Sequence, residues 1–175
     1  MNANDGKQIW FVDGLEKNTV CSPTVGKDFV FIGASEPRAS VAVRLGGEGK
    51  VTASHIAWRA EAASSSFGSP LAYAGHVYLI NKAGVGFCLD EGTGKLLWSG
   101  RLSGSCWASP IGAGDRVYFF GKDGVTTVVR TGPTLEKLAE NRLPTEDRVY
   151  GVAVVDGAFL IRTGRELVRI GKLKN

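Results

Sequence analysis

Ser69-Pro-Leu-Ala-Tyr-Ala-Gly-His-Val-Tyr-Leu-Ile-Asn-Lys-Ala-Gly84 and Ser109-Pro-Ile-Gly-Ala-Gly-Asp-Arg-Val-Tyr-Phe-Phe-Gly-Lys-Asp-Gly124 align over sixteen positions without a gap, at a period of 40 residues. Self-similarity at a fixed period of this length is the signature of a repeat architecture. A third copy starts at Ser22-Pro23 and runs through Phe29-Val-Phe-Ile32. A fourth, degenerate copy is Val152-Ala-Val-Val-Asp-Gly-Ala-Phe-Leu-Ile161, with Gly164 again 40 residues after Gly124. Tryptophan keeps the same phase: Trp10 precedes Ser22 by 12 residues, and Trp58 and Trp98 precede Ser69 and Ser109 by 11. Leu138 takes that place in the fourth unit.

Each unit parses into four short strands. In the unit 67–101, residues 69–73, 76–80, 86–90 and 95–100 read as strands, with Gly75 and Gly84 at the turns between them. Asp90-Glu-Gly-Thr-Gly94 reads as a turn whose Asp and Thr side chains bond the backbone. Four strands in about 40 residues make one blade of a β-propeller. The expected architecture is therefore all-β: a partial propeller of four blades, at about 20–60, 67–101, 107–143 and 150–173, in one domain over 1–175. The first unit is longer, and its extra residues fall at Ser35-Glu-Pro-Arg-Ala39 and between Gly46 and Thr52, where hairpin insertions are tolerated. The last unit has room for three strands, at 152–156, 158–162 and 166–171. Residues 6–12 read as an extra outer strand, because Gly6-Lys-Gln-Ile-Trp10 repeats the pattern of Gly94-Lys-Leu-Leu-Trp98. One blade is then either shared between the two ends of the chain, which removes free sheet edges, or left open.

Composition agrees with this reading and excludes other classes. The chain has 175 residues, 43% hydrophobic and 22% charged, enough to bury a core. Its 24 glycines scatter among Val, Tyr, Phe and Thr, as hairpin turns require. The net charge of +4 is spread thinly, and its excess lies in 121–175, where ten basic residues face seven acids. A nucleic-acid stripe would be denser, so no nucleic-acid partner is expected. Cys21, Cys88 and Cys106 lack metal-type spacing and read as buried free thiols. No run approaches the length of a membrane span, and MNANDGKQIW has neither the basic nor the apolar region of an export signal.

The string Ser-Pro, four residues, Gly-x-Val-Tyr, followed by Cys88-Leu-Asp-Glu-Gly-Thr-Gly-Lys-Leu-Leu-Trp98, resembles the repeat of the pyrroloquinoline-quinone (PQQ)-like β-propellers. That superfamily includes quinoprotein alcohol dehydrogenases and the outer-membrane β-barrel assembly lipoprotein B. The ending Leu160-Ile-Arg-Thr-Gly-Arg-Glu-Leu-Val-Arg-Ile-Gly-Lys172 is similar to the C-terminus of exported PQQ-binding-like proteins of planctomycete-type bacteria. The resemblance implies a wider ring than four blades, hence a missing N-terminal half or a second copy of the chain as partner, and an envelope or periplasmic location. It also implies that Trp10, Trp58 and Trp98 dock adjacent blades, each with its indole N–H on a backbone acceptor.

Quinoprotein dehydrogenases resembled here cap PQQ with a disulfide between neighbouring cysteines and hold Ca²⁺ with Glu and Asn beside an Asp base. Cys21, Cys88 and Cys106 are never adjacent, and no such acidic set accompanies Trp107. No catalytic, cofactor or metal residues are assigned, and neither PQQ nor Ca²⁺ is expected of this segment. Gly-Lys-Asp-Gly at 121–124 lacks the ending of a phosphate loop. What remains is a binding surface. Phe67, Trp107 and Tyr150 lie just before the first strands of successive units, where loops converge on one end of the channel. Edged by Arg59, Arg101, Arg142 and Arg148, this aromatic mouth suits a peptide strand or an extended acidic or glycan ligand. The expected function is a non-enzymatic scaffold for a protein partner in an envelope system; the alternative is the C-terminal half of a PQQ-dependent dehydrogenase.

Overall fold

The computed structural model describes residues 4–16, 20–102 and 104–172. β1 (Trp10–Phe11) stands apart from the four sheets that follow. The first sheet takes β2 (Thr24–Val25), β3 (Phe29–Ile32) and β4 (Val41–Arg44). The chain then leaves for an excursion carrying β5 (Gly49–Lys50) and a one-turn helix α1 (Thr52–His55), and returns with β6 (Ile56–Arg59). The second sheet is β7 (Leu71–Tyr73), β8 (His76–Ile80), β9 (Val85–Asp90) and β10 (Leu96–Arg101). The third is β11 (Ile111–Ala113), β12 (Arg116–Phe120), β13 (Val125–Arg130) and β14 (Lys137–Arg142). The fourth holds β15 (Val149–Val155), β16 (Ala158–Thr163) and β17 (Leu167–Ile170). Neighbours within these sheets pair antiparallel in chain order. The molecule is a partial β-propeller, with three blades of four strands and one of three.

Local chemistry sets the hairpins. At Ala74-Gly75 (φ 52° and 76°) and Asp156-Gly157 (φ 50° and 70°), both central residues of the two-residue turn are left-handed. That turn matches the twist of the flanking strands, and glycine carries its second position without strain. Gly112 is needed for another reason: the Tyr73 ring lies against it, and a β-carbon there would collide with the ring. Neighbouring blades can therefore approach closely at their inner strands.

The pleat sends alternate side chains to opposite faces, and three apolar layers result. Phe31 and Ala42 meet Val77, Leu79, Phe87 and Leu89 between the first and second blades. Tyr78, Ile80, Cys88 and Trp98 meet Val117, Phe119 and Val129 between the second and third. Phe120 meets Val149 and Ile161 between the third and fourth. Among the described residues no such layer joins the fourth blade to the first, so the arc is open.

Polar bonds fix the spacing of the layers. The Trp58 indole N–H donates to the Glu91 carbonyl at 3.1 Å, and Trp98 donates to the Gly132 carbonyl at 3.1 Å. Each tryptophan stands on the outer strand of its blade and reaches the connection between third and fourth strands of the next. The repeated Ser-Pro step has its own role: the Ser22 N–H donates to Ser69 Oγ at 3.0 Å, and the Ser69 N–H to Ser109 Oγ at 2.8 Å. Each serine hydroxyl thus receives the equivalent backbone donor of the preceding blade and ties neighbouring blades at their inner strands.

At Gly132 three bonds converge. Its N–H donates to the Tyr78 hydroxyl at 3.0 Å, and its carbonyl accepts from Trp98 and, at 3.5 Å, from the Cys88 thiol. Burial pushes both Tyr78 and Cys88 up to about 12. Folding holds these protons more tightly than the unfolded chain does, so their contribution is fully present below the ordinary values of 9.0 for Cys and 10.0 for Tyr, and is lost as pH rises toward 12. The denaturant midpoint is expected to hold from pH 7 to 8.5 and to fall steadily above pH 9. A thiol reagent at pH 8 should find Cys21, Cys88 and Cys106 unreactive until the chain is unfolded, since all three are buried and none is in a disulfide.

The N-terminal strand is where the structure departs from the closed form of the expected ring. β1 pairs in parallel with β5, with the Gly49 N–H on the Ile9 carbonyl at 2.8 Å and the Val51 N–H on the Phe11 carbonyl at 3.0 Å. Strand structure covers residues 10–11 of the expected 6–12, and it does not join β17. The excursion in the first blade offers donors close by, while β17 lies at the other end of the arc. Trp10 is half-buried on this strand pair.

Candidate binding surface at the mouth of the arc

Phe67 and Trp107 sit in the loops that enter β7 and β11, and Tyr150 sits in β15. The loops are held by backbone bonds between blades and turns. The Lys122 N–H donates to the Ser105 carbonyl at 2.8 Å, the Val149 N–H donates to the Lys122 carbonyl at 3.0 Å, and Cys106 bridges Gly121. The Lys82 N–H donates to Ser66 Oγ at 2.9 Å, which ties the Phe67 loop to the β8–β9 turn. In β15 the register slips between Val149 and Gly151, so Tyr150 is left without a partner on β16. Such a bulge re-aims one side chain out of the ladder.

The three rings meet. Phe67 and Trp107 are 6.0 Å apart, edge to face, and Trp107 and Tyr150 are 5.2 Å apart at 58°. Phe67 and Tyr150 remain 40% and 42% exposed, and Trp107 between them is half-buried. Cations lie on these rings: the Arg148 guanidinium 5.3 Å and the Lys122 ammonium 5.9 Å from the Trp107 centroid, and the Arg162 guanidinium 5.8 Å from that of Tyr150. Among the described residues none of these three cations is in an ion pair with a carboxylate. Ring quadrupoles hold them instead, at about 0.5–1 kcal/mol each where solvent reaches.

The structure therefore brings Phe67, Trp107, Tyr150 and Arg148 together. Arg59, Arg101 and Arg142 differ. Each is the last residue of the outermost strand of its blade, β6, β10 and β14. Three strand spacings of about 4.8 Å separate them from the inner strands, so they edge the perimeter of the face, not the mouth. Arg101 is turned onto the Ala83 carbonyl at 2.8 Å. Lys122 and Arg162 are the cations that sequence reading missed. The repeat carried the signal, because Lys82, Lys122 and Arg162 share one phase of the 40-residue period, two residues before Gly84, Gly124 and Gly164.

Beside the mouth, Pro144 to Asp147 and Thr163 to Glu166 line a shallow cleft of mixed charge. Among the described residues no three of His, Cys, Asp and Glu gather where they could hold a metal ion, and no helix is long and apolar enough to cross a membrane. The two histidines are taken locally, His55 Nδ1 by Ser54 Oγ at 2.8 Å and His76 Nδ1 by the Ala74 carbonyl at 2.7 Å.

The family model described as outer membrane protein assembly factor BamB matches residues 1–136, most of this blade array. The chain belongs to the BamB family of PQQ-like propellers. BamB from Moraxella catarrhalis superposes with a TM-score of 0.73 at 19% identity, over 93% of this chain and 49% of that one. This BamB-family chain thus spans about half the length of that BamB. The computationally designed Ika4 protein matches at TM-score 0.71 and 15% identity, over 95% of this chain and 98% of Ika4. Quinohemoprotein alcohol dehydrogenase ADHIIG from Pseudomonas putida HK5 matches at TM-score 0.67 and 14% identity, over 89% of this chain and 30% of that one. These likenesses are of fold. No curated protein matches the chain.

Proposed function

We propose that this BamB-family chain is a non-enzymatic binding module for a protein partner, working in a bacterial envelope system, and that its mouth takes an extended acidic segment. The observation that carries the reading is the set of rings Phe67, Trp107 and Tyr150 with Lys122, Arg148 and Arg162 laid on them and, among the described residues, no carboxylate in an ion pair with those cations. Aromatic and arginine side chains are the residues that dominate binding energy at protein interfaces. A carboxylate from a ligand would gain both Coulomb attraction and hydrogen bonds from guanidinium groups already in place. The half-exposed rings would cover the apolar side chains that alternate with it along a strand. The name of the family, an outer membrane protein assembly factor, supports the protein partner and the envelope location.

The dehydrogenase alternative asks for a quinone site, and the residues of this chain do not fit one. Cys21, Cys88 and Cys106 each point to a different backbone carbonyl, of Gly68, Gly132 and Gly104. Trp107, the ring that could have carried a planar cofactor, has cations over it.

Fluorescence anisotropy tests the proposal with labelled peptides of about ten residues in which Asp or Glu alternates with Phe, Tyr or Leu, against matched peptides carrying Lys. The acidic set is expected to bind and to weaken as salt rises, since exposed charges are screened. Absence of binding, or equal binding of the basic set, would sink the reading.

A further inference from the structure

The two ends of the arc carry complementary deficits. The fourth blade stops at three strands, and β17 has a free edge. At the other end, β1 occupies the place of an outer strand whose own blade is not among the described residues. β6 and β10 lie against the connection between third and fourth strands of the following blade, through Trp58 on Glu91 and Trp98 on Gly132. β1 lies against the same connection of the first blade, the excursion at Gly49 to Val51. Its pattern, Gly6-Lys-Gln-Ile-Trp10, is that of Gly94-Lys-Leu-Leu-Trp98 in β10. Among the described residues, one end shows three strands of a blade and the other an outer strand separate from the four blade sheets.

The surfaces beside these edges match as well. On the fourth blade, Val155 and Leu167 lie on the face away from the third blade, 48% and 68% exposed. At the N-terminal end Ile9, Phe11 and Val25 are exposed. Charge is opposed: residues 4–16 hold Asp5, Asp13 and Glu16 against one Lys7, whereas residues 157–172 hold Arg162, Arg165, Arg169 and Lys172 against one Glu166. Apolar faces of this kind on a soluble protein mark association sites.

We propose that a second copy of this chain is the occupant: the segment Gly6–Trp10 of each copy adds to β17 of the other as its fourth, antiparallel strand. The acidic N-terminal end then packs on the basic face of the fourth blade. Two such contacts related by a two-fold axis close the assembly into eight blades of four strands each. Each β1 keeps its pairing with its own β5, because added strand bonds use the opposite edge of the segment.

Size-exclusion chromatography with light scattering on the full chain tests this. The expected mass is twice the 18.6 kDa of one chain, unchanged between micromolar and tens of micromolar loading. Gln8→Pro removes a ladder donor from the donated segment, and Leu167→Glu places a charge on the fourth-blade face. Both positions are exposed in the single copy, so both variants should fold, with unchanged far-UV dichroism, and run as monomers. A monomeric wild type overturns the proposal. Larger open assemblies overturn the closed ring, and a dimer that survives both substitutions overturns strand donation.

Discussion

Trp98→Ala should lower the unfolding free energy by about 3–5 kcal/mol, the largest effect of any single truncation considered for this chain. The ring is 7% exposed and lies in the layer between the second and third blades, 6.1 Å from the Tyr78 ring. Removing it opens a cavity lined by Ile80, Leu102 and Val117 and takes away the indole donor of the Gly132 carbonyl. That carbonyl keeps only the weak thiol donor of Cys88. Gly132 has φ of 129°, a backbone that only glycine holds easily, so the connection it anchors has few alternatives. Trp98→Phe separates the two losses: it retains most of the apolar contact and should cost less, about the 1 kcal/mol of the lost bond plus incomplete filling. Trp58 makes the equivalent bond but is half-buried, and Trp58→Ala should fall between the two. Trp10→Ala should stay within about 1 kcal/mol, the range of a side chain outside the main layers. Urea denaturation at pH 7 reads all four. Equal losses for Trp98, Trp58 and Trp10 would mean that blade docking does not depend on these rings as the geometry implies.

The repeat made the blade array legible because it is a one-dimensional property: each blade buries its faces on its neighbours, so the same side chains recur in the same phase. The expected strand 76–80 is β8, and the others of that unit begin or end within two residues of the observed ones. What breaks the period was not legible. β5 and α1 lie inside the long first unit, where no second copy exists to align, and they form because the excursion meets the N-terminal segment in space. The first strand of the fourth unit is expected at 152–156 with Tyr150 just before it, but the sheet extends back to Val149, and the bulge that turns the ring toward Trp107 is a matter of register. The perimeter arginines were misplaced for a related reason: sequence order puts Arg101 six residues before Trp107, yet those residues carry the chain from the outer strand of one blade to the inner strand of the next.

That distinction between mouth and perimeter yields the second large effect. With an acidic peptide as probe, Trp107→Ala should weaken binding by roughly 30-fold or more, the loss of about 2 kcal/mol that marks a central anchor. The substitution removes the ring that Phe67 and Tyr150 both touch and on which Arg148 and Lys122 rest, so apolar cover and cation placement are lost together. Arg148→Ala should cost less than Trp107→Ala, because Lys122 and Arg162 remain, and Arg148→Lys should restore only part of it, since an ammonium lacks the forked donors that meet a carboxylate. Arg142→Ala, at the outer edge of the third blade, should change affinity less than twofold at physiological salt and act mainly on the association rate. Folding offers a control: Trp107 is half-buried in a loop outside the main layers, and its truncation should cost far less stability than that of Trp98. If Arg142→Ala weakened binding as much as Trp107→Ala, the perimeter would be the recognition surface and the aromatic cluster merely a plug in the channel.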